Sequence, residues 1–77
     1  MRGWTLLPSE RLYLIDVANG LSAAESAKLR GKSVHTVNSS LKGVRRVLKA
    51  RNTYHAITIC LMNDVITLDD IREEDPT

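Results

Sequence analysis

The stretch LSAAESAKLRGKSVHTVNSSLKGVRRVLK, residues 21–49, decides the fold. It reads as a short helix, a glycine turn and a longer helix whose outer face is basic. Ser22 and Glu25 have the spacing of a capping box, in which each side chain satisfies a backbone N–H left over at a helix start. The short helix ends near Arg30, and Gly31 makes the turn, because φ > 0 costs glycine little. Ser33 is a good N-cap for the longer helix, which runs to about Lys49. Its apolar residues Val34, Val37, Leu41, Val44 and Leu48 recur at steps of three and four, so that stripe is the core face. The opposite face carries Asn38, Ser39, Lys42, Arg45, Arg46 and Lys49. Ala27, Gly31 and Val37 stand where two steeply crossing helices need a small residue, a left-handed turn and an apolar anchor. Such a pair holds its second helix out from the body, free to enter a DNA major groove. Gly43 interrupts that helix at a cost of about 1 kcal/mol relative to alanine, and close approach of a neighbouring backbone would explain it.

Working outward, a first helix is expected from about Pro8 to Asn19. Pro8 suits a first-turn position, Glu10 sits at the positive end, and Gly20 is a natural stop. Leu12, Leu14, Ile15, Val17 and Ala18 supply its buried side, and Trp4 lies over its first turn as a staple. A fourth helix starts near Asn52 or Thr53 and runs to about Met62. Ala56, Ile57, Cys60 and Leu61 are the side that packs on the domain. His55, Ile59 and Met62 form a second apolar side, left for a partner, and a copy of the same chain is the simplest one. The remainder, TLDDIREEDPT, reads as one capped turn from Thr67 followed by a mobile acidic end. The expected organisation is therefore an all-α, four-helix domain over residues 1–66 with a short acidic tail over 67–77.

Seventy-seven residues make one small domain, with a core near the lower limit of what folds unaided. With no Phe, that core falls to Leu, Val, Ile and Ala. No apolar run approaches the ~20 residues of a membrane span, and the start MRGWTLLPSER has no signal-peptide core, so a cytoplasmic protein is expected. Cys60 is alone, which excludes an internal disulfide and a cysteine-based zinc cage, and reads as a buried, apolar-like thiol. The net charge of +2 hides a segregation. From Ser26 to Asn63 there is no Asp or Glu, but there are Lys28, Arg30, Lys32, Lys42, Arg45, Arg46, Lys49 and Arg51. Six of the nine acids follow: Asp64, Asp69, Asp70, Glu73, Glu74 and Asp75. A cation block without anions has a local field suited to a polyanion.

From Leu6 to about Ile66, roughly four fifths of the chain, the sequence resembles the LuxR/GerE family of bacterial helix-turn-helix regulators. The stretches that carry the resemblance are L-L-P-S-E-R (6–11), A-N-G-L-S (18–22), E-S-A (25–27), G-K-S-V-H-T-V (31–37) and R-N-T-Y-H-A (51–56). It is similar to the free-standing form, a DNA-binding domain with no receiver or ligand domain attached. The resemblance implies that the second and third helices read DNA and that the fourth makes a homodimer contact. It implies base contacts for the positions of Asn38, Ser39 and Lys42, and phosphate contacts for those of Ser33, His35, Thr36, Arg46 and Lys49. Arg45 joins the phosphate set because it lies on the same basic face. The chain departs from the family's aliphatic pattern at Ser26, Arg30 and Lys32, and from its usual residues at Leu7, Val34 and Asn38. Unpaired burial of Arg30 would be prohibitive, so Arg30 snorkels outward or the second helix turns Leu29 inward.

The resulting expectation is a sequence-specific regulator of bacterial or phage type that binds double-stranded DNA as a homodimer through His55, Ile59 and Met62. Burial of His55 in that contact would make dimerisation sensitive to mild acid. The rival reading is a protein-interaction module that binds RNA polymerase or a sigma factor, similar to sigma region four. An enzyme is disfavoured: His35 and His55 lie in different helices, and there is neither a phosphate-binding loop nor metal-ligand spacing. No cofactor or metal is implied.

Overall fold

The apolar stripe of the longest helix organises the molecule. A computed structural model describes residues 3–72. It contains α1 (Pro8–Ala18), α2 (Ala23–Arg30), α3 (Val34–Leu48) and α4 (Thr53–Met62), followed by a 3₁₀ turn at Leu68–Asp70, and no strand among the described residues. The expected four-helix, all-α architecture is therefore present. α3 packs against all three other helices, and α1 touches each of them as well. The core is built from Leu14 of α1, Ala27 of α2, Val37, Leu41, Val44 and Leu48 of α3, and Ala56, Ile57 and Cys60 of α4. Ile66, beyond α4, is also completely buried. Trp4 is half-buried and packs against this core, and the Cys60 thiol lies inside it. No helix is long and apolar enough to cross a membrane.

Both ends of each helix have identifiable causes. Glu10 Oε1 accepts the Leu7 N–H at 2.8 Å, ahead of Pro8 at the start of α1. Ser22 and Glu25 form the reciprocal box, at 3.1 and 2.9 Å, that starts α2. The Ser22 N–H holds the Glu25 carboxyl below its ordinary pKa. Ser33 Oγ accepts the Thr36 N–H at 3.0 Å, and Asn52 Oδ1 accepts the His55 N–H at 2.8 Å. All four helices end in one pattern, in which a 6→1 backbone bond crosses a residue of positive φ. Those bonds run from Leu21 to Asp16, Lys32 to Ala27, Ala50 to Arg45 and Val65 to Cys60, at 2.8–3.0 Å. The residues of positive φ are Gly20, Gly31, Lys49 and Asp64. The two glycines adopt it freely, whereas Lys49 and Asp64 each carry the left-handed cost of roughly 1–2 kcal/mol.

Several residues fall elsewhere than the pattern predicts. In α1, Leu12 is exposed, and Tyr13 and Asp16 are buried in its place. Neither alternative for Arg30 holds. Leu29 stays 61% exposed, and Arg30 reaches Asp16 with a forked pair of bonds, Nε to Oδ2 at 2.9 Å and Nη2 to Oδ1 at 2.6 Å. Ser26 Oγ donates to Asp16 Oδ2 at 2.7 Å, so a buried acid, a buried hydroxyl and an arginine lock α2 onto α1. Burial alone would raise the Asp16 pKa, but the bonds from Arg30 and Ser26 outweigh it and hold the carboxyl below its ordinary value. Val34, the first residue of α3, is more exposed than the rest of its stripe, because it precedes the turn that contacts the core.

The segment after Ile66 is not free through Arg72. Arg11 Nε donates to the Val65 carbonyl at 2.8 Å, and Arg11 Nη2 to Asp70 Oδ2 at 2.9 Å. Asn19 Nδ2 donates to the Asp70 carbonyl at 2.9 Å, and Asn19 Oδ1 accepts the Arg72 N–H at 2.6 Å. The Thr67 N–H, helped by Arg11, holds the Asp70 carboxyl below its ordinary pKa. The capped turn expected from Thr67 is present, and residues 67–72 form a strap tied along α1, so the expected mobile end does not begin before residue 73. Glu73, Glu74 and Asp75 lie outside the described residues.

Close approach does not explain Gly43, since a Cβ there would meet nothing within 4 Å. Gly43→Ala is therefore expected to raise stability by about 1 kcal/mol, read as a higher urea midpoint at an unchanged slope. A lower midpoint would show that the glycine is needed within the fold.

Candidate nucleic-acid interface

The turn that positions the candidate site is short. Three residues, Gly31 to Ser33, separate α2 from α3, and the Ser33 cap fixes where α3 begins. The buried stripe then sets the rotation of α3, so its opposite side must face outward. Ser33, His35, Thr36, Asn38, Ser39, Lys42, Arg46 and Lys49 are all exposed. The proposed base-reading residues and all but one of the proposed phosphate-binding residues therefore share one accessible surface. Ser33 and Thr36 also bond to each other through their hydroxyls at 2.9 Å, so their oxygens already serve the cap.

Arg45 is the exception. It is half-buried and donates from Nη1 to Thr53 Oγ1 at 2.9 Å, which ties the end of α3 to the start of α4. One bond uses a single donor of the five on a guanidinium, so Arg45 keeps capacity for an anion.

The electrostatics follow from which cations are matched. Among the described residues the ion pairs are Arg11–Asp70 and Arg30–Asp16. Arg30 is thereby withdrawn from the basic block. Lys28, Lys32, Lys42, Arg45, Arg46, Lys49 and Arg51 have no acidic partner among the described residues. Lys49 ends α3 with φ 56°, at a position where glycine is the usual occupant. The chain carries a cation there despite the backbone cost.

The α4 surface is of another kind. Its sequence, TYHAITICLM, contains no charged residue. Tyr54, His55, Thr58 and Met62 are exposed along one side, with Met62 at 78%. His55 Nδ1 accepts the Arg51 N–H at 3.0 Å, which leaves Nε2 facing away from that bond. Ile59 is only half-exposed, because part of it packs on the domain's own core. Of the residues expected to meet a partner, His55 and Met62 are exposed and Ile59 lies at the edge, and the exposed side of α4 also includes Tyr54 and Thr58. A step of four along α4 from Tyr54 is the signal that would have found this exposed side. Among the described residues no group of His, Cys, Asp and Glu is arranged to hold a metal ion.

No protein-family model matches the chain, and no curated protein or solved structure is significantly similar to it.

Proposed function

We propose that this protein is a transcriptional regulator that binds double-stranded DNA as a homodimer, with α3 in the major groove and α4 joining the two copies. The reading follows the LuxR/GerE resemblance. The observation that carries it is the outward face of α3, where exposed cations stand with no acidic partner beside polar residues able to read bases. Asn38 pairs with adenine N6/N7, Lys42 with guanine O6/N7, and Ser39 with either. Ser33, His35, Thr36, Arg45, Arg46 and Lys49 contact phosphates, which set register but not sequence. A two-fold dimer places two inverted half-sites about one helical turn apart, roughly 34–36 Å.

Lys42→Ala is expected to relax preference at one base position, at a cost of about 1–3 kcal/mol against the preferred base. Lys49→Ala weakens all sequences alike. Competition between the preferred site and random duplex separates the two, and equal losses on both DNAs for both variants would overturn the assignment of roles. For the dimer, Met62→Glu places a charge on an uncharged face without touching the core. Sedimentation should then give a monomer with unchanged helical content, and an intact dimer would rule that face out.

A second reading is favoured by the hollow of about 710 Å³ between α1, α2 and the C-terminal strap, where Leu12 and Leu29 are exposed and no α3 residue takes part. Apolar and mixed-charge lining suits a protein contact, such as one with RNA polymerase or a sigma factor. Leu29→Glu tests it: partner binding is lost while DNA affinity holds.

A further inference from the structure

Three open hollows along the described residues differ in charge. The largest of these three carries Asp16, Asp69 and Asp70 beside its arginines, and the one at the end of α4, about 490 Å³, carries Asp64 and Asp69. The third, about 410 Å³, lies where the α1–α2 turn, α3 and the start of α4 meet. Arg45 and Arg51 line it, together with Asn38, Asn52 and Tyr54, and no acid does. Val17, Leu21 and Leu41 supply its apolar lining. The Thr53 bond holds the Arg45 guanidinium at this cleft.

The cleft is continuous with the groove-reading face. Asn38, Lys42, Arg45 and Lys49 fall along one edge of α3 by helical spacing, and Arg51 extends that edge past the helix end. Asn38 belongs to both surfaces.

We propose that this cleft takes a phosphate of the DNA backbone beside the half-site, held by Arg45 and Arg51 with the Tyr54 hydroxyl as a further donor. The proposal rests on the DNA-binding reading and adds Arg51 and Tyr54 to it. A guanidinium presents paired N–H groups that match phosphate oxygens two at a time. The cleft therefore clamps one strand, while α3 lies in the groove beside it. Because no base edge is involved, its contribution is the same on every sequence.

The test is the salt dependence of binding to random duplex DNA by the full chain. Wild type is compared with Arg51→Ala, Arg51→Lys, Tyr54→Phe, Arg46→Ala and Arg72→Ala. The last removes an equal charge from the acid-bearing hollow, away from the cleft. Loss of one phosphate contact lowers the slope of log K against log salt by about 0.9, or about 1.8 for a dimer. Arg51→Ala should show that loss with an unchanged melting temperature, Arg51→Lys should retain most of the slope, and Arg72→Ala should match wild type. Tyr54→Phe should weaken binding with its slope unchanged, since the hydroxyl carries no charge. A wild-type slope in Arg51→Ala alongside a reduced one in Arg46→Ala would overturn the cleft and leave the DNA-binding reading standing. Equal losses in Arg51→Ala and Arg72→Ala would also overturn it, as an effect of net charge alone. A wild-type protein with no salt-dependent binding would overturn both.

Discussion

Asp16→Asn is expected to cost roughly 3 kcal/mol of folding stability, the largest effect of any single polar substitution in this domain. Asp16 is 4% exposed and takes three bonds, two from Arg30 and one from Ser26. Losing one member of a buried ion pair typically costs about 3–5 kcal/mol, because the other charge is left without compensation. Here the lower end applies, since the Arg30 side chain keeps 30% of its surface in water. A domain of this length is stable by only about 4–11 kcal/mol, so the variant stands near the edge of folding. A loss below about 0.5 kcal/mol would mean that the pair contributes little and that α2 is held by Ala27 and its capping box alone.

The same group gives the protein an acid limit. Its folded pKa lies below the ordinary carboxylate value, so its contribution is complete above the unfolded value of about 3.9. That stability is lost as pH falls through the folded value. Urea midpoints measured from pH 7 down to pH 2 should therefore drop steeply below pH 4 in wild type. In Asp16→Asn, where nothing remains at that position to protonate, the fall should be shallower. Parallel curves would assign acid sensitivity to other carboxyls.

The second large effect is on binding. A dimer with six to ten phosphate contacts loses affinity for duplex DNA by about 10³–10⁵ between 50 and 200 mM salt. Arg45, Arg46, Lys49 and Arg51 supply enough cations per copy for that range, and none has an acidic partner among the described residues to compete with a phosphate. Reversing two of them, in Arg46→Glu with Lys49→Glu, replaces two attractions by two repulsions on the surface that would meet the strand. Binding to any duplex should then disappear at 150 mM salt while the melting temperature is unchanged. An affinity that varies less than tenfold over the same salt range would exclude phosphate neutralisation as the main source of affinity.

How legible the molecule was in its sequence depended on the range of each interaction. Capping residues act over three positions, so Ser22, Glu25 and Ser33 announced the starts of α2 and α3. The buried residues of α3 follow a period short enough to read directly, and the exposed cationic face follows from it. Asp16 and Arg30 are fourteen residues apart on different helices. No local pattern links them, and an acid among Leu14, Ile15 and Val17 reads simply as a polar interruption. The attachment of residues 67–72 to α1 was hidden for the same reason. Asn19 binds the Asp70 carbonyl and the Arg72 N–H, and Arg11 the Val65 carbonyl just before the strap, and such backbone groups, which every residue has, are displayed by no sequence motif. Arg45 was placed on the outer face by helical spacing alone, and only the position of Thr53 turns it toward α4. Tyr54 and Arg51 were visible as residues but not as part of a site, because the cleft they line depends on how α3 and α4 meet.

The proposed regulator binds with the cationic side of α3 against a double helix, in a two-fold pair. The most direct measurement is selection of bound sequences from a pool of random duplex DNA by the full chain at 150 mM salt. The account predicts an inverted repeat whose half-site centres lie about 10 base pairs apart, and loss of one conserved base in each half-site when Lys42 is replaced by alanine. Recovery of no enriched sequence, together with no retention of the pool as a whole, would contradict it.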